Sequence, residues 1–127
     1  MSRHSIATDR APAAIGPYSQ AVRSGSHIYT SGQIPLDPAT GELVGGDIAQ
    51  QARRVFDNLQ AVCTAAGGSF ADVLRVGVYL VDLADFAAVN AVMAEYFVVP
   101  YPARSTIGVA ALPKGAQVEI DLVLALA

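Results

Sequence analysis

The chain has 127 residues, 53% of them apolar and only 15% charged, with a net charge of −3. That length suits one domain over residues 1–127, large enough to bury a core without staples. The acidic balance and the lack of any Lys/Arg block exclude the electrostatic footprint of a nucleic-acid binder. So high an apolar fraction in so small a domain points to surface covered by other subunits.

Cys63 is the one cysteine, so no internal disulfide is expected and a reducing compartment fits. The first 17 residues hold no apolar run suited to a signal peptide. Arg, Asp, Gly and Pro interrupt every stretch that could approach the ~18 apolar residues of a membrane span. The chain therefore reads as cytoplasmic, without a membrane partner.

In chain order, residues 4–8 fit a short edge strand, and Pro12 and Gly16-Pro17 break the loop after it. Tyr18 to Val22 alternates as a strand, Ser24-Gly25-Ser26 turns, and His27 to Ser31 returns as the second arm of a hairpin. Asp37-Pro38-Ala39-Thr40-Gly41 is a further turn. Asp47 is an N-cap with Gln50 three residues on, the pattern of a capping box. Ile48, Ala52, Val55, Phe56, Leu59, Val62, Cys63 and Ala66 then recur at helical spacing until Gly67-Gly68. Cys63 lies in that stripe as a packed core thiol.

Val73 to Val81 is rich in β-branched residues and reads as a largely buried strand. Asp82 or Asp85 caps a second helix ending near Phe97, with Leu83, Phe86, Val89, Met93 and Phe97 as its apolar stripe. Asn90 falls on the same stripe, where its amide needs partners or solvent. It is either an edge residue or one that bonds a neighbouring loop and shapes a pocket wall.

Pro100 and Pro102 stop the helix and force extended backbone. Ile107 and Val109 then read as a strand with Arg104 at its start. From Phe86 to Leu112 the only other charged residue is Glu95. A lone guanidinium in such surroundings either pairs with an internal carboxylate or waits for a ligand anion, which its planar fork grips bidentately. The last strand, Val118 to Leu126, turns Val118, Ile120, Leu122 and Leu124 one way and Glu119 and Asp121 the other. Those carboxylates are either a solvated face or neighbours of Arg104. The short turn Leu112-Pro113-Lys114-Gly115 lets the two last strands pair. The order β-β-β-α-β-α-β-β predicts an α+β sandwich, a mixed sheet with both helices on one face and subunits over the other.

Several segments together resemble the RidA/YjgF family of reactive-intermediate (enamine/imine) deaminases. They are Ala13-Ala14-Ile15-Gly16-Pro17-Tyr18-Ser19-Gln20-Ala21, Thr30-Ser31-Gly32-Gln33-Ile34-Pro35, Asn58-Leu59 before Ala65-Ala66-Gly67, Pro102-Ala103-Arg104-Ser105-Thr106, and the stretch from Leu112 to Ile120. The resemblance implies a chorismate-mutase-like fold with a six-stranded sheet. It implies a homotrimer with a central barrel and pockets at the subunit interfaces. It also implies hydrolysis of 2-imino acids, such as 2-iminobutanoate and 2-iminopropanoate, or their enamine tautomers, to 2-keto acids and ammonia.

By the same resemblance Arg104 holds the substrate carboxylate and Glu119 stands near the attacking water. Tyr18, Ser31 and Gly32 line the pocket, and Asn90 orders its wall. Thr106 stands where some members carry cysteine, so a hydroxyl replaces the thiol. No cofactor is implied. His4 and His27 are far apart and no Cys/His cluster has ligand spacing, so no metal is expected. Two rival readings remain: a non-catalytic trimer that binds small carboxylates as a sensor, and a ribonuclease-type translation inhibitor.

Overall fold

The computed structural model describes residues 2–127. Three short strands open the fold: β1 (His4–Ile6), β2 (Ala21–Ser24) and β3 (His27–Thr30). They form an antiparallel meander, with Val22 opposite Tyr29. Helix α1 (Ile48–Ala65) follows, then β4 (Val73–Leu80), α2 (Phe86–Tyr96), β5 (Ala103–Gly108) and β6 (Val118–Ala125). The sheet order is β1-β2-β3-β6-β4-β5, with β4 and β5 parallel and every other pair antiparallel. This is an α+β fold with a six-stranded mixed sheet and two helices.

Local chemistry explains the elements. The Asp47 carboxylate accepts from the Gln50 backbone N–H at 2.9 Å, and the Gln50 side chain accepts from the Asp47 N–H at 3.0 Å. Both are donors that a helix start leaves orphaned. Ala52, Val55, Phe56, Leu59, Val62 and Cys63 are then buried along one stripe of α1. Gly67 closes the helix at φ +86°, a backbone conformation that strongly favours glycine. Between the helices the rings of Phe70 and Phe97 stack at 4.7 Å, and those of Phe56 and Tyr96 at 5.1 Å. Each such side chain fully buried contributes about 1.5–3 kcal/mol of transfer free energy.

The β4–α2–β5 unit is a crossover, and a crossover of that length returns the chain parallel to its first strand. β6 enters between β3 and β4, so both its edges are occupied. Val118, Ile120, Leu122 and Leu124 bury toward the helices. Glu119, Asp121, Val123 and Ala125 face the opposite side, as the alternation predicts. On that side Tyr29 and Ile107 are about half exposed.

Five expectations need correction. Residues 18–20 are not strand: the loop around Gly16, at φ +120°, continues through Tyr18, whose N–H bonds the Gly16 carbonyl at 2.9 Å. Ser31 likewise lies just past β3. The Asp82 carboxylate caps a short 3-10 turn, Leu83–Asp85, that precedes α2. Leu83 and Phe86 are exposed rather than core, and Val92 is buried in their place. Leu83 lies over Gly108, and Phe86 lies under the Arg104 guanidinium. Finally, β5 does not pair with β6. Its hydrogen bonds go to β4, and β6 has none to spare.

Candidate functional site

The sheet register places Arg104 opposite Val76, and Val76 opposite Leu122. Cross-strand partners share a face, so Arg104 projects on the helix side, at the edge strand β5. Its Nη1 donates to Asn90 Oδ1 at 2.6 Å and approaches Met93 Sδ at 3.7 Å. Its Cζ lies 5.2 Å from the centre of the Phe86 ring, within cation–π range. Asn90 thus bonds a neighbouring strand. A cleft of about 390 Å³ opens here, lined by Asn90, Met93, Ala94, Tyr101, Pro102 and Arg104. Thr106, two residues on, shares the Arg104 face and is half-buried.

Glu95, the other charged residue between Phe86 and Leu112, does not pair with Arg104. Among the described residues the one ion pair within 4 Å joins Arg53 Nη2 to Glu95 Oε2, at 2.9 Å. Glu95 therefore serves the contact between α1 and α2, and the Arg104 guanidinium has no carboxylate partner. It is held by an amide, a sulfur and a ring, all neutral.

Glu119 lies elsewhere. It stands opposite Tyr79 on the face away from the helices. Together with Tyr18, Ser31 and Gly32 it lines a second cleft of about 450 Å³. Gly32 has no side chain because the Glu119 carboxylate occupies that space: a Cβ there would overlap it. Burial, and then the nearby charge of Asp121, push the Glu119 carboxyl above its ordinary range. The Ser31 hydroxyl donates to the Ser19 carbonyl at 2.5 Å.

The predicted residues thus form two groups: Arg104, Asn90 and Thr106 at one edge, and Tyr18, Ser31, Gly32 and Glu119 around the other cleft. Arg104 and Glu119 are two strands and three residues apart in register, on the order of 14 Å, and on opposite faces. A small ligand with reacting atoms ~3–3.5 Å from its catalytic groups cannot touch both within one chain.

Sequence reasoning missed the residues that hold these groups in place. Gln20 is buried; its Oε1 accepts from Thr8 N at 2.7 Å and its Nε2 donates to the Thr8 and Pro12 carbonyls at 3.0 and 2.8 Å. It fixes the loop that walls the Glu119 cleft. Asn58, fully buried, donates to the Leu36 carbonyl at 2.9 Å and accepts from Arg54 Nε at 3.1 Å. The available signal was the one that singled out Asn90, an amide inside an apolar helical stripe. Phe86 gave none, since a ring under a guanidinium looks like any core phenylalanine.

Cys63 is buried, and burial followed by the Asp72 charge pushes its thiol up to about 12. Among the described residues no three His, Cys, Asp or Glu side chains are grouped to hold a metal ion. No helix among them is long and apolar enough to cross a membrane.

Comparison with known proteins gives a consistent picture. The family model described as Endoribonuclease L-PSP matches residues 8–126. Protein DfrA of Myxococcus xanthus is 54% identical over 125 residues, covering 97% of this chain and 95% of that one. A protein of Dermatophagoides farinae named 2-iminobutanoate/2-iminopropanoate deaminase is 48% identical over 119 residues, covering 94% and 93%. The crystal structure of RidA from an Antarctic Psychrobacter superposes with a TM-score of 0.93 at 51% identity, covering 97% of this chain and 99% of that one. The chain belongs to the Endoribonuclease L-PSP family, also called YjgF/RidA.

Proposed function

We propose that this chain, as one domain, hydrolyses 2-imino acids such as 2-iminobutanoate and 2-iminopropanoate to 2-keto acids and ammonia, in the cytoplasm. The observation that carries the reading is the Arg104 guanidinium. It is fixed by Asn90 and Phe86, lacks a carboxylate partner and opens on a partly apolar cleft. Every 2-imino acid offers the carboxylate such a fork grips. Relatives named for this activity support the choice.

The site is assembled between copies. In the proposed homotrimer the exposed sheet faces meet as a central barrel, and the β5 edge of one subunit docks against the Glu119 cleft of the next. The separation of Arg104 from Glu119 within one chain supports this arrangement. So does the exposed Tyr101, which lines the Arg104 cleft.

In the reaction Arg104 holds the carboxylate and the protonated imine carbon faces the neighbouring cleft. Glu119 accepts a proton from water as the water oxygen bonds to C2 and the C=N π pair moves to nitrogen. Protonated Glu119 returns that proton to the carbinolamine nitrogen and takes the hydroxyl proton as C–N breaks and the carbonyl forms; the departing ammonia carries this proton away as ammonium, leaving Glu119 a carboxylate again. Asn90 orients Arg104, Thr106 and Ser31 offer hydroxyls, and Tyr18 packs on the ligand. No covalent enzyme intermediate and no cofactor is required.

The test generates 2-iminobutanoate in place with an amino-acid oxidase and follows its loss with native protein and with Arg104→Ala. Acceleration by native protein that falls at least about tenfold in Arg104→Ala supports the reading. No acceleration by native protein overturns it, and titration with 2-keto acids then tests a non-catalytic carboxylate binder. A parallel RNA-cleavage assay on the same fraction addresses the endoribonuclease in the family's name. Cleavage that survives in Arg104→Ala would assign the protein to that class instead.

A further inference from the structure

The sheet face away from the helices carries a polar cluster that the hydrolysis above does not use. Asp121 follows Glu119 by two residues on β6 and stands opposite Gly77 on β4. A Cβ on Gly77 would overlap the Asp121 carboxylate and lie 3.1 Å from the Tyr79 hydroxyl and 3.3 Å from Arg75 Nη1. The missing side chain is therefore the space in which these groups converge. Tyr79, directly opposite Glu119, donates its hydroxyl to Asp121 Oδ2 at 3.1 Å. Burial, and then the charge of Asp121, push the Tyr79 phenol up, so it remains a donor.

We propose that Asp121, held by Tyr79 over Gly77 and two residues from Glu119 on the same strand face, is a positioning residue for Glu119 in the hydration step, acting through its negative charge. The inference rests on the reading that Glu119 serves the attacking water. Its physical basis is that a like charge two residues along a strand face disfavours the ionised carboxylate, and burial strengthens the effect. Within one chain the groups that face Glu119 are few, and the proposed docking adds the Arg104 of the next copy, which Asp121→Asn leaves in place. β4 presents Tyr79, β6 presents Asp121, and the loops present Tyr18, Gly32 and Lys114. Arg75 lies beyond Asp121, Tyr29 of β3 lies farther along the face, and β5 presents the uncharged Ser105 and Ile107. Asp121 is the one anion among them. A Glu119 more easily protonated can both take the water's proton and return it to nitrogen.

The chain contains only Glu42, Glu95 and Glu119 as glutamates, so carboxyl-labelled glutamate gives three titrating NMR signals, with Glu119→Gln as the assignment. In Asp121→Asn, which keeps an acceptor for the Tyr79 hydroxyl, the Glu119 midpoint falls. In Tyr79→Phe, which keeps the Asp121 charge but frees its side chain, it falls by less. The acid limb of the imine-hydrolysis pH profile moves down with the midpoint, by the same amount. Glu95, held below its ordinary range by Arg53, reports in the same spectra that each variant is folded. A Glu119 midpoint unmoved in folded Asp121→Asn, or moved as far in Tyr79→Phe, overturns the inference. A midpoint that falls in folded Asp121→Asn while native protein shows no hydrolysis leaves the charge coupling standing but overturns its role in hydration together with the hydrolytic reading.

Discussion

Gly32 and Glu119 share one volume: a Cβ on Gly32 would stand 2.7 Å from Glu119 Cδ and 2.9 Å from its Cγ. Those atoms belong to a flexible side chain, so Gly32→Ala moves the carboxylate and spares the backbone. Misplacement of a catalytic group by ~1 Å costs about 10²-fold. The expected result is a fall of that order in kcat for imine hydrolysis, with the circular dichroism spectrum unchanged.

Arg104→Ala removes a charge-assisted grip worth about 1.5–3 kcal/mol. The expected loss in kcat/KM is about 10–150-fold. Asn90→Ala removes only the amide that orients the guanidinium, and loses less. Because Arg104 and Asn90 are exposed, thermal scans of both variants should lie close to native.

Gln20 and Asn58 act on stability. Each is buried, and each donates to backbone carbonyls, Gln20 to those of Thr8 and Pro12 and Asn58 to that of Leu36. Gln20→Leu or Asn58→Leu leaves those groups unpaired, at a cost of about 1–3 kcal/mol. Urea denaturation should show the loss as a lower midpoint at an unchanged slope.

Glu119 opposes stability at neutral pH. Its folded-state carboxyl titrates above its unfolded value, so its contribution is fully present below the ordinary glutamate range and is lost as pH rises through the raised folded value. Glu119→Gln has no such loss. Scanning calorimetry should find the variant melting above native protein at about pH 8, with the gap closing toward about pH 4.

Cys63, with its thiol pushed up to about 12 and its side chain enclosed, presents almost no thiolate near pH 8. Iodoacetamide should leave the native mass unchanged and add one carbamidomethyl group in guanidinium chloride. Labelling of native protein would place Cys63 outside the core.

The elements of this chain were legible because their causes are local. The Asp47–Gln50 capping box, the α1 stripe, the Gly67 stop and the period-two alternation of β6 each depend on residues a few positions apart. The same locality showed that Arg104 was isolated in charge and that Glu119 and Asp121 share a face. The loop through Tyr18 was misread as strand because its alternation is real, while the Gln20 hydrogen bonds that bend it are made to Thr8 and Pro12.

Sequence by itself determined which side chains are available and on which face of its own element each one stands. Tertiary structure decided which of them meet. β6 takes the centre of the sheet and β5 its edge because the β4–α2–β5 crossover returns parallel to β4, a choice made by non-local hydrogen bonding and helix packing. That choice leaves Arg104 and Glu119 on opposite faces of one sheet, a relation between strands that no pattern within a strand encodes.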